Sequence, residues 1–157
     1  TDIIVGFPGE TEAQFQALCD FADELKLDFS YTAIYSPRRH TPAARMEKEF
    51  IPMEEKKKRF HRFDEVVKKH AFAHRAQYVG QTVEVLVEKS EPAENGLYRN
   101  AGRTREFFEV WFLAGRPLKG KEVKVLLEEQ KGYVFSGVMP EVEQTRFGEP
   151  VKLKVLA

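Results

Sequence analysis

The feature that most constrains the fold lies in the first 35 residues, where a strand, a helix and a second strand follow one another. Thr1–Phe7 is an apolar, β-branched run typical of a buried strand, and Pro8-Gly9 ends it. Phe29–Tyr35 has the composition of a second strand. Two strands joined by a helix predict a βαβ unit, in which both strands run parallel in one sheet.

The helix between these strands carries its own start signal. Thr11 and Gln14 have capping-box spacing, in which the hydroxyl accepts an amide proton and the glutamine side chain reaches back to the cap. Apolar residues then recur at helical spacing: Phe15, Leu18, Ala22 and Leu25. This pattern predicts a helix that ends near Lys26.

A basic region follows the second strand. Ser36–Ala44 contains two prolines and two arginines and is predicted to be a loop, and residues 54–77 form a long basic amphipathic helix. Residues 1–36 carry one Lys/Arg against seven Asp/Glu, whereas residues 37–75 carry twelve against six. The basic region would attract a polyanion, unless its charges only solvate a helix surface.

From Tyr78 onward the hydrophobic period changes from 3.6 to 2, which indicates strands. Four strands are predicted, around Val83–Val87, Phe107–Leu113, Glu122–Leu127 and Tyr133–Met139. Short strands separated by glycine turns favour a small antiparallel barrel, OB-like in size. The predicted organisation is an α/β region at 1–77, an all-β barrel at 78–140 and a tail at 141–157, with an optional strand at Pro150–Leu156.

Composition limits the chemistry that the chain can perform. A single cysteine, Cys19, excludes an internal disulfide and a thiolate cluster, and it fits a reducing, cytoplasmic compartment. His70 and His74 are four residues apart on the long helix, but no third ligand accompanies them, so we expect helix packing rather than a metal site. No apolar stretch approaches membrane-spanning length, so no membrane partner is expected.

Three stretches, taken together, resemble the radical-SAM methylthiotransferases, which insert a methylthio group at an unactivated carbon. TDIIVGFPGET is similar to the family's fifth barrel strand and the turn after it, and FSYTAIYSPRRHTPAA is similar to the sixth strand and its arginine-containing loop. AGRTREFFEVWF followed by LKGKEV resembles the core of the closing TRAM domain. The resemblance implies the C-terminal βαβ portion of a partial TIM-type barrel followed by a TRAM barrel.

Within the family, the compact GRT with its aromatic strand looks most like the tRNA branch. The resemblance implies that the intact enzyme acts on isopentenyladenosine next to the anticodon, with the tRNA anticodon arm as partner. Two sister branches remain open: modification of threonylcarbamoyladenosine in tRNA, or of an aspartate in a ribosomal protein. A stand-alone, non-catalytic RNA-binding barrel is a further alternative.

The family uses S-adenosyl-L-methionine (SAM) and two 4Fe–4S clusters, and the cysteines that hold the clusters are absent here. Because such clusters require thiolate ligands, we expect no catalytic residue and no metal site in this chain alone. The missing N-terminal part of the same polypeptide is therefore an expected partner. The chain also departs from the family at Arg39-His40, where a proline–glycine pair is common.

The resemblance also implies binding residues. Ile4, Val5 and Gly6 would lie beside the SAM adenine, although turn chemistry alone also explains the glycine. Arg38 and Arg39 would meet RNA phosphate or the SAM carboxylate, or would only belong to a solvated basic loop.

The barrel region interleaves basic and aromatic residues in the pattern that single-stranded RNA prefers. Its candidate RNA-binding residues are Arg99, Arg103, Thr104, Arg105 and Lys121. They lie among Tyr98, Phe107, Phe108, Trp111 and Phe112, about half of which must face the barrel core. Arg103 and Arg105 are the strongest candidates for phosphate contacts.

Overall fold

The computed structural model describes residues 1–147, which form two compact units. The N-terminal unit comprises Thr1–His74, and the barrel unit begins at Arg75. The boundary predicted from sequence, between residues 77 and 78, lies slightly further along the chain. The optional strand at Pro150–Leu156 lies outside the described residues. Within residues 1–147, no helix is long and apolar enough to cross a membrane.

The N-terminal unit is a βαβ unit followed by a long helix. Its elements are β1 (Asp2–Val5), α1 (Glu12–Leu25), β2 (Tyr31–Ile34) and α2 (Met53–Ala76), with short 3-10 turns at Ala43–Arg45 and Glu47–Glu49. β1 and β2 pair in parallel, with Val5 opposite Ile34. The predicted parallel βαβ arrangement is confirmed.

The capping box at the start of α1 is confirmed. The Gln14 backbone N–H donates to the Thr11 hydroxyl at 3.2 Å, and the Thr11 N–H donates to the Gln14 side-chain oxygen at 2.9 Å. Two amide groups that the first helical turn leaves unpaired thereby find acceptors.

The sheet is covered on one face only. Val5 packs with Phe15, Phe63 and other apolar side chains of α1 and α2. Ile4 and Tyr31, by contrast, are 57% and 70% exposed. The prediction that Thr1–Phe7 is buried was therefore wrong for most of its length, because alternate strand residues point to opposite faces and the helices cover only the Val5 side.

Ion pairs join the acidic α1 to the basic α2. Arg62 Nη1 lies 2.6 Å from Glu12 Oε1, and Lys69 Nζ lies 2.8 Å from Asp23 Oδ1. Hydrogen bonds from Lys69 and His70 hold the pKa of Asp23 below its usual range. Much of the negative charge of residues 1–36 is thus paired with positive charge of α2. This pairing is a third explanation of the basic segment, besides the attraction of a polyanion and simple solvation.

Up to residue 147, the barrel unit contains five strands and one short helix. They are β3 (Thr82–Pro92), β4 (Tyr98–Arg103), β5 (Glu109–Ala114), β6 (Glu122–Lys131), β7 (Val134–Val138) and α3 (Glu141–Arg146), with a 3-10 turn at Glu94–Gly96. The strands close into a barrel in the order β3-β4-β5-β7-β6. Its core is formed by inward-facing valines together with Phe108, Phe112 and Phe135.

The barrel is not purely antiparallel, which corrects the prediction. β5 and β7 pair in parallel, whereas the other four pairings are antiparallel. Strand direction can alternate around a closed ring only when the number of strands is even. A closed five-stranded barrel must therefore contain at least one parallel pair.

Two strand assignments also need correction. β4 was missed because its inward-facing positions include Asn100 and Gly102, so the segment lacks an alternating apolar pattern. The next strand begins at Glu109 rather than at Phe107, since Phe107 lies in the preceding turn with φ +64° and an exposed side chain.

Candidate RNA-binding surface and strand-edge site

The carboxyl ends of β1 and β2 meet at one edge of the small sheet. Gly6 follows β1 and Tyr35 follows β2, and the Tyr35 N–H donates to the Val5 carbonyl at 2.9 Å. This edge is where parallel α/β sheets commonly bind ligands. We call Gly6, Glu10, Tyr35, Lys56 and Arg59 the strand-edge cluster.

The three residues expected beside SAM differ in their surroundings. Val5 is fully buried toward the helices, so only its backbone is available at the edge, whereas the Ile4 side chain is exposed on the other face. Gly6 has φ +73°, and a Cβ there would lie 2.6 Å from Lys56 Cγ. Its backbone conformation and the close approach of Lys56 both require glycine.

Lys56 is a buried cation that sequence reasoning missed. Its residue is only 5% exposed, and its Nζ donates to the Tyr35 carbonyl at 3.2 Å and lies 5.1 Å from the centre of the Tyr35 ring. A signal was present in the sequence: Lys56 precedes Phe60 by one helical turn, so it continues the apolar stripe of α2.

Arg59 and Glu10 form a buried ion pair that holds the turn after β1. Arg59 Nη1 lies 2.6 Å from Glu10 Oε1 and also donates to the Glu10 carbonyl at 2.9 Å. The other carboxylate oxygen of Glu10 accepts the Gly6 N–H at 3.1 Å. The FPGE segment is therefore fixed by a charge on α2 as well as by its own turn residues.

Arg38 and Arg39 lie on an exposed turn after β2. The Thr41 hydroxyl donates to the Arg38 carbonyl at 2.8 Å, and His40 has φ +67°. His40 thus adopts the left-handed conformation that glycine favours, at the position where the family commonly has glycine. Within residues 1–147, no ion pair involves either arginine, so both guanidinium groups are available to an anion.

The hairpin turn between β4 and β5 displays two of the predicted RNA-binding residues. Arg105 is exposed in the turn, and Arg103 Nη1 lies 3.2 Å from Glu88 Oε1 in a partly exposed pair. Thr104 is buried, and its hydroxyl accepts the Phe108 N–H at 3.2 Å. Thr104 therefore shapes the turn, while the arginines face solvent.

Three further side chains extend this surface. The Arg99 guanidinium lies 4.7 Å from the centre of the Trp111 ring, and Lys121 is exposed in the turn before β6. Phe107 is 80% exposed at positive φ. The sequence pattern predicted a strand at Phe107 and so missed its exposure. Only recognition of the turn between β4 and β5 would have revealed it.

Cys19 is buried on α1, and burial raises the pKa of its thiol. Because the thiolate is the reactive form, Ellman's reagent should react with the folded protein ~100-fold or more slowly than with the denatured protein. The neutral thiol's contribution to stability is present below its unfolded pKa and declines as pH rises through the folded pKa. Fast reaction of the folded chain at neutral pH would contradict this assignment.

The barrel unit thus exposes basic and aromatic side chains together, the combination of groups with which other small barrels bind single-stranded nucleic acid. No protein-family profile matches the chain. Several curated relatives carry the name tRNA-2-methylthio-N(6)-dimethylallyladenosine synthase, among them the three that follow. The relative from Bacillus cytotoxicus is 41% identical over 154 residues, and that from Bacillus velezensis is 40% identical over 154 residues; each alignment covers 98% of this chain. The relative from Geobacillus kaustophilus is 42% identical over 137 residues, or 87% of this chain.

The resemblance to the methylthiotransferase family is therefore confirmed. The chain spans 28% of the length of the two Bacillus relatives and 25% of the Geobacillus relative. It corresponds to the C-terminal portion of these proteins.

Proposed function

We propose that this chain is the C-terminal, RNA-binding portion of a cytoplasmic radical-SAM tRNA methylthiotransferase. The intact enzyme would add a methylthio group to C2 of isopentenyladenosine next to the anticodon. The observation that carries the proposal is 41% identity over 154 residues to a protein whose name states this reaction class. The barrel unit would be the TRAM domain, and the βαβ unit would be the end of the SAM-binding barrel.

The uncovered sheet face supports the second assignment. β1 pairs only with β2 within the described residues, and Ile4 and Tyr31 expose apolar surface on the face that the helices leave open. In an α/β barrel, that face would point to the barrel interior and be covered by other strands. We take the missing strands to be part of the same polypeptide.

The chain's own residues fit one implied cofactor but not the other. SAM supplies the radical and the methyl group when bound, and Ile4 with the Gly6 backbone offers apolar surface for its adenine. The 4Fe–4S clusters do not fit, because the chain has one cysteine, which is buried. Within residues 1–147, no group of three or more potential ligands could hold a metal ion.

The basic residues would hold the anticodon arm. Arg99, Arg103, Arg105 and Lys121 would contact RNA from the barrel unit, and Arg38 and Arg39 from the strand edge of the N-terminal unit. Phosphate contacts of this kind dominate affinity and position the nucleic acid without reading its sequence. Holding the target nucleotide at the reactive centre is a catalytic contribution in itself.

The double variant Arg103→Ala/Arg105→Ala should weaken tRNA binding about 10- to 30-fold, at roughly 1 kcal/mol for each lost phosphate contact. The slope of log K against log salt should flatten by about 2. Fluorescence anisotropy with labelled tRNA at several salt concentrations measures both. The Arg103–Glu88 pair is partly exposed and so should compete only weakly with phosphate.

The matched control is Lys58→Ala/Lys124→Ala, which removes two exposed charges, one from α2 and one from β6. Equal weakening by both double variants would refute the assignment of Arg103 and Arg105. The enzyme assignment has a separate test: the reading frame upstream of Thr1 should encode C-x-x-x-C-x-x-C. Its absence there would favour a stand-alone RNA-binding protein.

A further inference from the structure

A groove of 460 Å³ lies on the outer face of the barrel. Residues from all five strands line it, among them Lys89, Arg99, Ala101, Trp111, Lys131 and Val134. We call it the Trp111 groove. Its volume is within the range of about 300–1,000 Å³ that is usual for small-molecule sites.

The indole of Trp111 lies between small side chains. Ala101 on β4 and Ser136 on β7 are the direct partners of Trp111 in the two neighbouring strands. Directly paired residues share one face of a sheet, so the neighbours on either side are a methyl group and a hydroxymethyl group. Both cross-strand neighbours of the indole are therefore small, and the large side chain that lies over its ring is that of Arg99.

Arg99 completes an aromatic–cationic platform. Its guanidinium lies 4.7 Å from the centre of the indole ring, a favourable cation–π distance. Both planar groups, indole and guanidinium, are surfaces on which nucleobases stack. Trp111 is half-buried and Arg99 is exposed, so the platform is anchored in the sheet but remains open to solvent.

The charges around the platform are mixed, and they suit a ligand that carries both an anionic group and hydrogen-bond donors. Lys89, Arg99 and Lys131 supply three cations, and Glu91 and Glu109 supply two carboxylates. Within the described residues, neither Lys89 nor Arg99 forms an ion pair, whereas Lys131 pairs with Glu129 at 3.0 Å. The cations can meet a phosphate, and the carboxylates can accept hydrogen bonds from base amino groups.

We infer that the Trp111 groove binds one unpaired nucleotide of the RNA, with its base stacked on Trp111 and Arg99 and its phosphate beside Lys89. The inference rests on the proposed RNA-binding function and adds the position at which a base is held. It also distinguishes this groove from the β4–β5 turn, where Arg103 and Arg105 would contact only the backbone.

The test uses the fact that Trp111 is the only tryptophan in the chain. The full chain is titrated with an RNA hairpin copied from an anticodon arm, and two signals are followed. Anisotropy of a labelled hairpin reports any binding, while tryptophan emission with the unlabelled hairpin reports contact at Trp111. Quenching should follow the same binding curve as the anisotropy.

Variants separate the groove from the rest of the surface. Trp111→Ala should weaken binding about 5- to 150-fold, the usual loss for one stacked base, while Trp111→Phe should retain most of the affinity. Ala101→Leu keeps the indole but fills the groove, so it should reduce quenching and affinity together. Lys124→Ala, outside the groove, is the matched control and should change neither signal appreciably.

The outcomes keep the two proposals apart. Full anisotropy binding with no quenching, and with no effect of Ala101→Leu, would overturn the groove assignment and leave the RNA-binding function standing. Absence of any anisotropy change would overturn both. Quenching by an acidic peptide but not by RNA would assign the groove to a protein partner and overturn the inference. If circular dichroism shows that Trp111→Ala does not fold, the quenching of Trp111 in the parent chain and the Ala101→Leu variant still test the groove assignment.

Discussion

Gly102→Ala is expected to destabilise the barrel unit by about 4 kcal/mol or more, at the upper end of single-substitution effects. A Cβ at Gly102 would overlap the Leu86 carbonyl oxygen and lie 2.7 Å from the Leu86 carbonyl carbon and 2.8 Å from Val87 Cα. These are backbone atoms of the adjacent strand β3, so no side-chain rotation can relieve the clash. Separating the strands would break their hydrogen-bonded ladder beside the bulge at Val87/Lys89.

Urea denaturation followed by Trp111 emission measures this effect in the full chain, because the only tryptophan lies in the barrel unit. Gly120→Ala is the matched control, since Gly120 has φ +78° with nothing near the added Cβ. It should cost only about 1–2 kcal/mol, the conformational penalty alone. A loss below about 1 kcal/mol in Gly102→Ala would contradict the close approach of β3 and β4.

Glu10→Gln should lower the stability of the N-terminal unit by about 3 kcal/mol, because it leaves the buried Arg59 guanidinium without its closest counter-charge. The side chains of Arg59 and Glu10 are 7% and 13% exposed, and the pair is 2.6 Å apart. The carboxylates of Glu12 and Glu55, at 3.5 and 3.4 Å from Arg59, compensate in part and keep the loss near the lower end for such pairs.

Cys19 reports this unit independently, since its thiol becomes reactive when the unit unfolds. Reaction with Ellman's reagent in increasing urea should show a lower midpoint for Glu10→Gln, whereas the Trp111 transition should move much less. Glu24→Gln is the control, because it neutralises an exposed carboxylate on α1. Its free energy of unfolding should lie within about 0.5 kcal/mol of that of the parent protein. Identical midpoints for the two variants would show that the buried pair contributes little.

Local signals in the sequence were sufficient to predict the order of helices and strands in the N-terminal unit. These signals depend only on neighbours within a few residues. They are the capping box between Thr11 and Gln14, the 3.6-residue apolar period of α1 and α2, and the Pro8-Gly9 pair that ends β1. For that reason they could be interpreted without knowing the rest of the fold. The burial of β1 could not be predicted in this way, because the face of a strand that becomes covered depends on elements that are distant in sequence.

β4 shows why the barrel was harder to predict. Asn100 faces inward and is fully buried, and its side chain is satisfied by four hydrogen bonds: to the Tyr98 and Arg116 carbonyls, and from the Ser90 hydroxyl and the Leu118 N–H. A buried amide with all its partners is stable, but in sequence it has the polarity of a loop residue. Gly102 also resembles a loop residue in the sequence. It is required in β4 because a Cβ there would overlap the Leu86 backbone.

The residue types of the candidate site could be predicted from the sequence, but their burial and exposure could not. The family motifs and the basic–aromatic composition of residues 98–124 are properties of the sequence, and they led to Arg99, Arg103 and Arg105. Sequence could not show that Thr104 is buried, that Phe107 is exposed in a turn, or that Trp111 lies between Ala101 and Ser136. Each of these depends on strand register, which a shift of one residue would reverse.

The sequence by itself determined the βαβ order of the N-terminal unit, the resemblance to the family and the types of residue proposed to bind RNA, because motifs, caps and periodicity are local. Only the tertiary structure decided which charges remain available. Arg59 of the basic helix is matched by Glu10, and Arg62 and Lys69 are matched by acidic residues of α1. Arg38, Arg39 and Arg99, by contrast, form no ion pair within residues 1–147. An ion pair requires contact between side chains that are far apart in the chain, so it follows from packing and not from composition.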